Sequence, residues 1–159
     1  MQYDQVTLRR TEKSDLDFLF QFQLDPEGNF LAAFMPTDAN NKEAYVKKYS
    51  KFLTDLTINM QTILIEDIIV GSIAKFEIES NAEITYWIDR HLWGRGIGSS
   101  ALKAFLSIEN IRPIFARVAF DNFGSQKILE KSGFLKVGTD KGYANARRTE
   151  IEEFIYKLG

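Results

Sequence analysis

Trp87-Ile88-Asp89-Arg90-His91-Leu92-Trp93-Gly94-Arg95-Gly96-Ile97-Gly98-Ser99-Ser100-Ala101-Leu102 is the stretch that decides the fold. It starts at the end of an apolar run and passes through three alternating glycines. It then opens a segment in which Ile97, Ala101 and Phe105 share one i, i+4 row and Leu102 and Leu106 another. The pattern is strand, glycine loop, helix. Glycines let backbone N–H groups come close to an anion, and a helix start adds unpaired donors and a favourable dipole. Trp93, Gly94, Arg95, Gly96, Ile97, Gly98 and Ser99 are therefore candidate phosphate-binding residues. The plainer alternative is a turn whose torsions demand glycine.

Upstream, residues 61–66, 68–79 and 83–88 are β-branched and strand-like, separated by turns at Glu66-Asp67 and Ser80-Asn81. Three strands joined this tightly predict an antiparallel meander. Period two places Val70, Ser72, Ala74, Phe76 and Ile78 on one face. Val6-Thr7-Leu8-Arg9 suits a short strand, and Ser14 is placed to cap a helix carrying Leu16, Leu19 and Phe20. Asp25-Pro26-Glu27-Gly28-Asn29 reads as its stop, ahead of an apolar cluster from Phe30 to Met35. Residues 42–55 read as a helix with Tyr45, Tyr49, Phe52 and Leu53 on one face, and this Phe-rich third of the chain reads as core. Downstream come a strand over 114–120, a helix over 125–132 closed by Gly133, and strands over 134–137 and 150–158. No repeat or long linker divides the chain, so residues 1–159 are expected to form a single domain.

Composition narrows the function classes. The 159 residues are 45% hydrophobic and 26% charged, as in globular proteins. The absence of Cys removes disulfides, cysteine-rich zinc sites and cysteine nucleophiles, and a single His, His91, removes multi-His metal sites. No metal is expected. A net charge of −2 argues against a general grip on nucleic acid. The N-terminus, Met1-Gln2-Tyr3-Asp4-Gln5-Val6, shows no signal-peptide pattern, and no apolar run is long enough to span a bilayer. A cytoplasmic protein without membrane contact is expected.

Two nucleotide-type ligands compete for the glycine loop. Gly96-Ile97-Gly98-Ser99-Ser100-Ala101 fits the dinucleotide pattern G-x-G-x-x-G/A, with Asp121 roughly 20 residues on. A dinucleotide-binding oxidoreductase would, however, place the loop in a parallel sheet and need more chain after it. The Walker pattern is absent. Trp93-Gly94-Arg95-Gly96-Ile97-Gly98 resembles instead the acetyl-CoA pyrophosphate loop of the GCN5-related N-acetyltransferases (GNAT). Tyr86-Trp87-Ile88-Asp89 and Trp93 resemble the ribosomal-protein-alanine acetyltransferase branch in particular. Asn122-Phe123-Gly124-Ser125-Gln126-Lys127-Ile128-Leu129-Glu130-Lys131-Ser132-Gly133-Phe134 is similar to that branch's second motif. The two motifs lie in the family's order, and the resemblance covers nearly the whole chain.

The resemblance implies an α+β fold: a mixed, mostly antiparallel sheet of about seven strands with flanking helices. The strands 83–88 and 114–120 would be parallel and splayed, with the pantetheine arm between them. It implies direct acetyl transfer from acetyl-CoA to a primary amine, either a protein N-terminus or a small amine, by a monomer or homodimer. The missing Cys agrees with direct attack, since no thiol is available to form an acyl-enzyme. The family's oxyanion N–H would lie near Trp87 or Ile88, and Asn122 would bind pantetheine amides. Glu83 is the first candidate for the base, ahead of Tyr143 and Glu150. Many members carry an acidic Tyr seven residues after the motif Asn. Here that position is Leu129, and Ser125 is the candidate substitute. The departure keeps open a non-catalytic, CoA-binding or ligand-sensing module. His91 reads as a surface residue, and Asn145-Ala146-Arg147-Arg148 as a basic loop suited to an acceptor carboxylate or phosphate, or simply to solvent.

Overall fold

The structure, a computed structural model, describes residues 5–159; Met1-Gln2-Tyr3-Asp4, read above for a leader, lie outside the described residues. Seven strands form one sheet: β1 (Val6–Arg10), β2 (Asn59–Ile65), β3 (Ile68–Ile78), β4 (Asn81–Ile88), β5 (Ile114–Ala119), β6 (Leu135–Ala144) and β7 (Thr149–Leu158). Their order is β1-β2-β3-β4-β5-β7-β6. The helices are α1 (Leu16–Gln23), α2 (Pro26–Ala32), α3 (Lys42–Phe52), α4 (Ile97–Ile108) and α5 (Phe123–Lys131).

The expected meander is β2-β3-β4, antiparallel throughout. The turn between β2 and β3 holds Glu66 and Asp67 at φ 51° and 65°. Two consecutive left-handed residues match the right-handed twist of a two-residue hairpin. The next hairpin turns one residue earlier than the sequence suggested, on Glu79 and Ser80. Among the described residues only β4 and β5 are parallel, and they pair through just Ala82↔Ile114 and Glu83↔Phe115. Beyond those two rungs each strand keeps its antiparallel partner, β3 for β4 and β7 for β5. The sheet therefore opens along its middle.

Each face of the sheet buries its own layer. Ile97, Ala101, Leu102 and Phe105 of α4 and Leu129 of α5 pack with Ile73, Ile84, Ala116 and Tyr156. Leu16 and Leu19 of α1, with Tyr45 and Tyr49 of α3, pack with Met60, Ala74 and Phe76. Strict alternation along β3 fails at one point. Ile63 pairs Gly71 and Leu64 pairs Ile69, which leaves Val70 as an extra residue. A bulge shifts the side-chain phase, so Val70 joins Ile73 on the α4 side while Ala74 and Phe76 face α1.

Three other local expectations change. Asp25-Pro26 starts a helix instead of ending one: the Asp25 carboxylate accepts the Gly28 N–H at 2.8 Å, and Pro26 occupies the first turn of α2. Ser14 lies inside a short 3-10 turn, where Asp15 accepts the Glu12 N–H at 2.8 Å. β6 runs ten residues, well beyond the predicted 134–137. No helix among the described residues is long and apolar enough to cross a membrane.

Candidate active site

A cavity of about 760 Å³ passes through the opening between β4 and β5. Ile84, Tyr86, Ala116 and Val118 line it on the α4–α5 side, and Thr85, Trp87 and Arg117 on the α1–α3 side. The splay frees backbone donors. Asp89 N–H donates to Val70 O at 2.8 Å, which fixes the alternation along β4. Trp87 and Thr85 then face β3, and Tyr86 and Ile88 aim their N–H groups at the departed β5. Trp93 Nε1 donates to Ile88 O at 2.9 Å, on that same open side. Of the two positions that the resemblance offered for an oxyanion donor, the alternation favours Ile88 over Trp87.

The glycine loop leads from the open end of β4 into α4. Gly94 and Gly96 have φ of 78° and 80°, and a Cβ at either would meet open space. Glycine there serves the backbone conformation. Gly98 differs: a Cβ would lie 2.6 Å from Ile128 Cδ1, the far end of a side chain on α5. Gly96 is the N-cap, and the first bond of α4 is Ser100 N–H to Gly96 O at 3.0 Å. The N–H groups of Ile97, Gly98 and Ser99 precede it and have no intrahelical acceptor. Residues 93–96 are exposed, Arg95 among them. The Trp93 indole ties this loop back to β4.

Across the cavity, α5 presents Ser125. Its hydroxyl lies 2.7 Å from the Tyr86 hydroxyl, a pairing the sequence reading missed. Burial pushes the Tyr86 phenol up to about 12, against the opposing effect of the Ser125 hydrogen bond. Tyr86 therefore stays protonated at neutral pH and can donate to Ser125. Asn122, not Ser125, caps α5: its Oδ1 accepts the Ser125 N–H at 3.3 Å, and its Nδ2 reaches Leu31 O at 3.5 Å. Leu129 lines the cavity and is 1% exposed.

The other predicted side chains separate by face. The Trp87 indole leaves the glycine loop and donates to Phe22 O at 3.2 Å under α1. Glu83 sits at the last paired rung, its carboxylate 3.5 Å from Arg117 Nε, and does not line the cavity. Burial raises its pKa, and Arg117 opposes that rise. Tyr143 and Glu150 pair across β6 and β7, both exposed, and Tyr143 lines an outer groove of about 630 Å³ that meets the cavity at Met35, Pro36 and Ala39. In the basic loop, Arg147 is spoken for: it clamps Asp121 through bonds of 2.9 and 2.7 Å and stacks on Phe30. Asn145 donates to Met35 O at 2.7 Å, and Arg148 lines the outer groove. His91 is exposed, its backbone N–H held by Asp89 at 3.1 Å.

The architecture has relatives. A domain family described as "Acetyltransferase (GNAT) domain" matches residues 5–135. An uncharacterized N-acetyltransferase of Bacillus licheniformis is 28% identical over 166 residues, covering 98% of this chain and 93% of that protein. Among solved structures, the ribosomal-protein alpha-N-acetyltransferase RimL in complex with coenzyme A superposes with a TM-score of 0.83. It has 22% identity and covers 96% of this chain and 93% of its own. The microcin self-immunity acetyltransferase MccE, in complex with acetyl-CoA and AMP, gives 0.81 at 18% identity, covering 98% and 92%. The family match spans most of the described chain and meets there a sheet splayed between β4 and β5, and the chain belongs to the GNAT family of acetyl-CoA-dependent N-acetyltransferases.

Proposed function

We propose that the β4–β5 opening admits the thioester arm of acetyl-CoA and that the α1–α3 side of the same cavity receives a primary amine. One observation carries this: a single cavity touches both faces of the sheet at the point where the parallel pair β4 and β5 separates. The residues fit a CoA thioester in three ways. The N–H groups of Ile97, Gly98 and Ser99 in the first turn of α4, which lack an intrahelical acceptor, face a pyrophosphate. The free edge of β4 offers Tyr86 and Ile88 N–H groups to pantetheine and to the acyl oxygen. The cavity brings that edge, at Thr85, Tyr86 and Trp87, together with Asn122 and Ser125 of the α5 start.

Acetyl-CoA supplies the activated acyl group. The chain's own groups then have separate tasks. The Ile88 N–H faces the position where negative charge develops on the acyl oxygen. Ser125, held by Tyr86 at 2.7 Å, relays a proton to the departing sulfur and recovers one from water. A thiol titrates near 8.5, so this step needs little assistance, which is consistent with Leu129 at the family's usual Tyr position. Asn122 acts mainly by capping α5 and so positioning Ser125. Glu83 acts at one remove: water carries the amine proton to its carboxylate, since the neighbouring Arg117 guanidinium has no acceptor atom. The acceptor is an amine on a small molecule or at a protein N-terminus, and the likeness to RimL, an alpha-N-acetyltransferase of ribosomal protein L7/L12, supports the second.

Release of free thiol from acetyl-CoA, screened against small amines and N-terminal peptides, tests this assignment. Amine-dependent thiol release that is lost in Ser125→Ala supports it. Saturable acetyl-CoA binding with no amine-dependent release would instead make the protein a CoA-binding module.

A further inference from the structure

The charges on the cavity floor bear on which amine enters. Asp38 and Lys48 line the outer wall, while Arg117 and Glu153 project from the sheet. Arg117 is shared three ways. Its Nη1 lies 2.9 Å from Glu153 and 3.2 Å from Asp140, and its Nε 3.5 Å from Glu83. These carboxylates come from β7, β6 and β4, so three strands converge on one guanidinium. One cation among three anions leaves a local formal charge of −2 around Arg117, while on the outer wall Lys48 Nζ lies over the Tyr49 and Phe52 rings, 5.7 and 5.8 Å from their centroids.

Two consequences follow for a ligand. A guanidinium divided among three carboxylates is not available to a substrate carboxylate, and Arg147 is already committed to Asp121. Glu153 is the network's carboxylate that both lines the cavity and is largely buried, with its side chain 15% exposed. The same cavity has aromatic walls: Phe22, Phe34, Tyr45, Tyr49 and Phe76. Such walls favour an apolar body and tolerate a cation near their faces.

Resting on the acetyl-transfer function above, we propose that Glu153, oriented by Arg117, is the specificity-determining residue of the acceptor site: it receives a primary ammonium on an apolar body and excludes acceptors that carry a carboxylate beside the amine. Arylalkylamines and peptide N-termini, whose neighbouring carboxyl is an amide, satisfy this rule. Free α-amino acids do not, because their carboxylate would meet Glu153 and its neighbours with like charge. Arg117 is a positioning residue, since it acts through Glu153.

The test compares 2-phenylethylamine with L-phenylalanine, which share the ring and the spacing and differ by the carboxylate. Binding of each is followed by ligand-observed NMR, and turnover by thiol release. The expected result is a preference of roughly tenfold or more for 2-phenylethylamine, carried by KM or Kd more than by kcat. Glu153→Gln should weaken 2-phenylethylamine binding and compress the preference, and Glu153→Asp should restore much of it. Glu152→Gln, an exposed carboxylate next along β7 that does not line the cavity, should leave the preference standing. Acetyl-CoA affinity, measured by calorimetry, should be the same in all three variants. Equal binding of the two ligands, no 2-phenylethylamine binding in the millimolar range, or an unchanged preference in a folded Glu153→Gln protein overturns the proposal. Failure of acetyl-CoA to bind the wild-type protein overturns the acetyl-transfer assignment instead, while the NMR comparison still reports on charge selection.

Discussion

Substituting Gly96 separates the two roles a glycine plays in the cofactor loop. Gly96 holds φ 80° and ψ 6°, with nothing within 4 Å of a would-be Cβ. A side chain there meets no neighbour, so its whole cost is conformational. An L residue held in the left-handed region costs about 1–2 kcal/mol, and valine, branched at Cβ, lies at the upper end. In a chain of this length that is about 2–8 °C in Tm. If the loop relaxes to avoid the strain, the N–H groups at the start of α4 re-aim. Each charge-assisted bond to a phosphate is worth about 1.5–3 kcal/mol, so losing one weakens acetyl-CoA roughly tenfold to a hundredfold. Gly98→Ala is the control. Its Cβ meets only the tip of Ile128, 2.6 Å away, and a side-chain rotation on α5 relieves the contact. Calorimetry with acetyl-CoA and thermal unfolding should show Gly96→Val impaired in at least one property and Gly98→Ala near wild type in affinity. A Gly96→Val protein with native Tm and native affinity would falsify the assignment of this loop.

Further outcomes follow from other contacts. Ser125→Ala should lower kcat while leaving acetyl-CoA affinity nearly unchanged, and Tyr86→Phe should lower it less, since the Ser125 hydroxyl survives; equal rates in all three proteins would remove the pair from proton transfer. Asp15 accepts bonds of 2.6 and 2.8 Å from Arg9, 2.8 Å from Glu12 N–H and 3.0 Å from Thr62, with its side chain 3% exposed. Burial opposes its ionisation, but these bonds outweigh that, and its pKa is lowered. The stability it contributes is present above the ordinary carboxyl range and is lost as pH falls through the depressed value. Asp15→Asn should therefore cost about 2–3 kcal/mol at neutral pH and much less in strong acid, as read by denaturant midpoints. Glu83 has the opposite sign. Its pKa is raised chiefly by burial, so its contribution is full below the unfolded pKa and falls as pH rises through the folded one. The stability of Glu83→Gln relative to wild type should thus improve from acid to neutral pH; a pH-independent difference would show that Arg117 fully compensates the buried charge.

The parts of the fold carried by local pattern were legible in the sequence. The meander, the glycine loop and α4 follow from β-branched runs, turn residues and i, i+4 rows that act over short distances. What escaped depends on partners far along the chain or on ambiguous local signals. Asp25-Pro26 is equally a helix stop and a helix start, and only the Gly28 N–H accepted by Asp25 decides between them. β6 shows little alternation because most of it is exposed at the sheet edge, so Leu135-Lys136-Val137-Gly138-Thr139 gives no burial signal. The extra residue Val70 is invisible without the register of β2. At the site, the backbone loop was readable but the side-chain pairings were not. Tyr86 and Ser125 lie 39 residues apart, and Arg117 and Glu153 lie 36 apart. Each pair meets only because β5 has β4 on one side and β7 on the other.

Hydrogen exchange of backbone amides, with and without acetyl-CoA, tests most directly whether the sheet opening and the helix start together hold the cofactor. At saturating acetyl-CoA, protection should rise at the amides of Ile97, Gly98 and Ser99 and at Tyr86 and Ile88 on the free edge of β4. The amides of Thr85 and Trp87, already turned toward β3, should change little. Saturable binding that leaves Tyr86, Ile88 and the first turn of α4 unprotected, or protects a different region, would contradict the placement of acetyl-CoA in the β4–β5 opening.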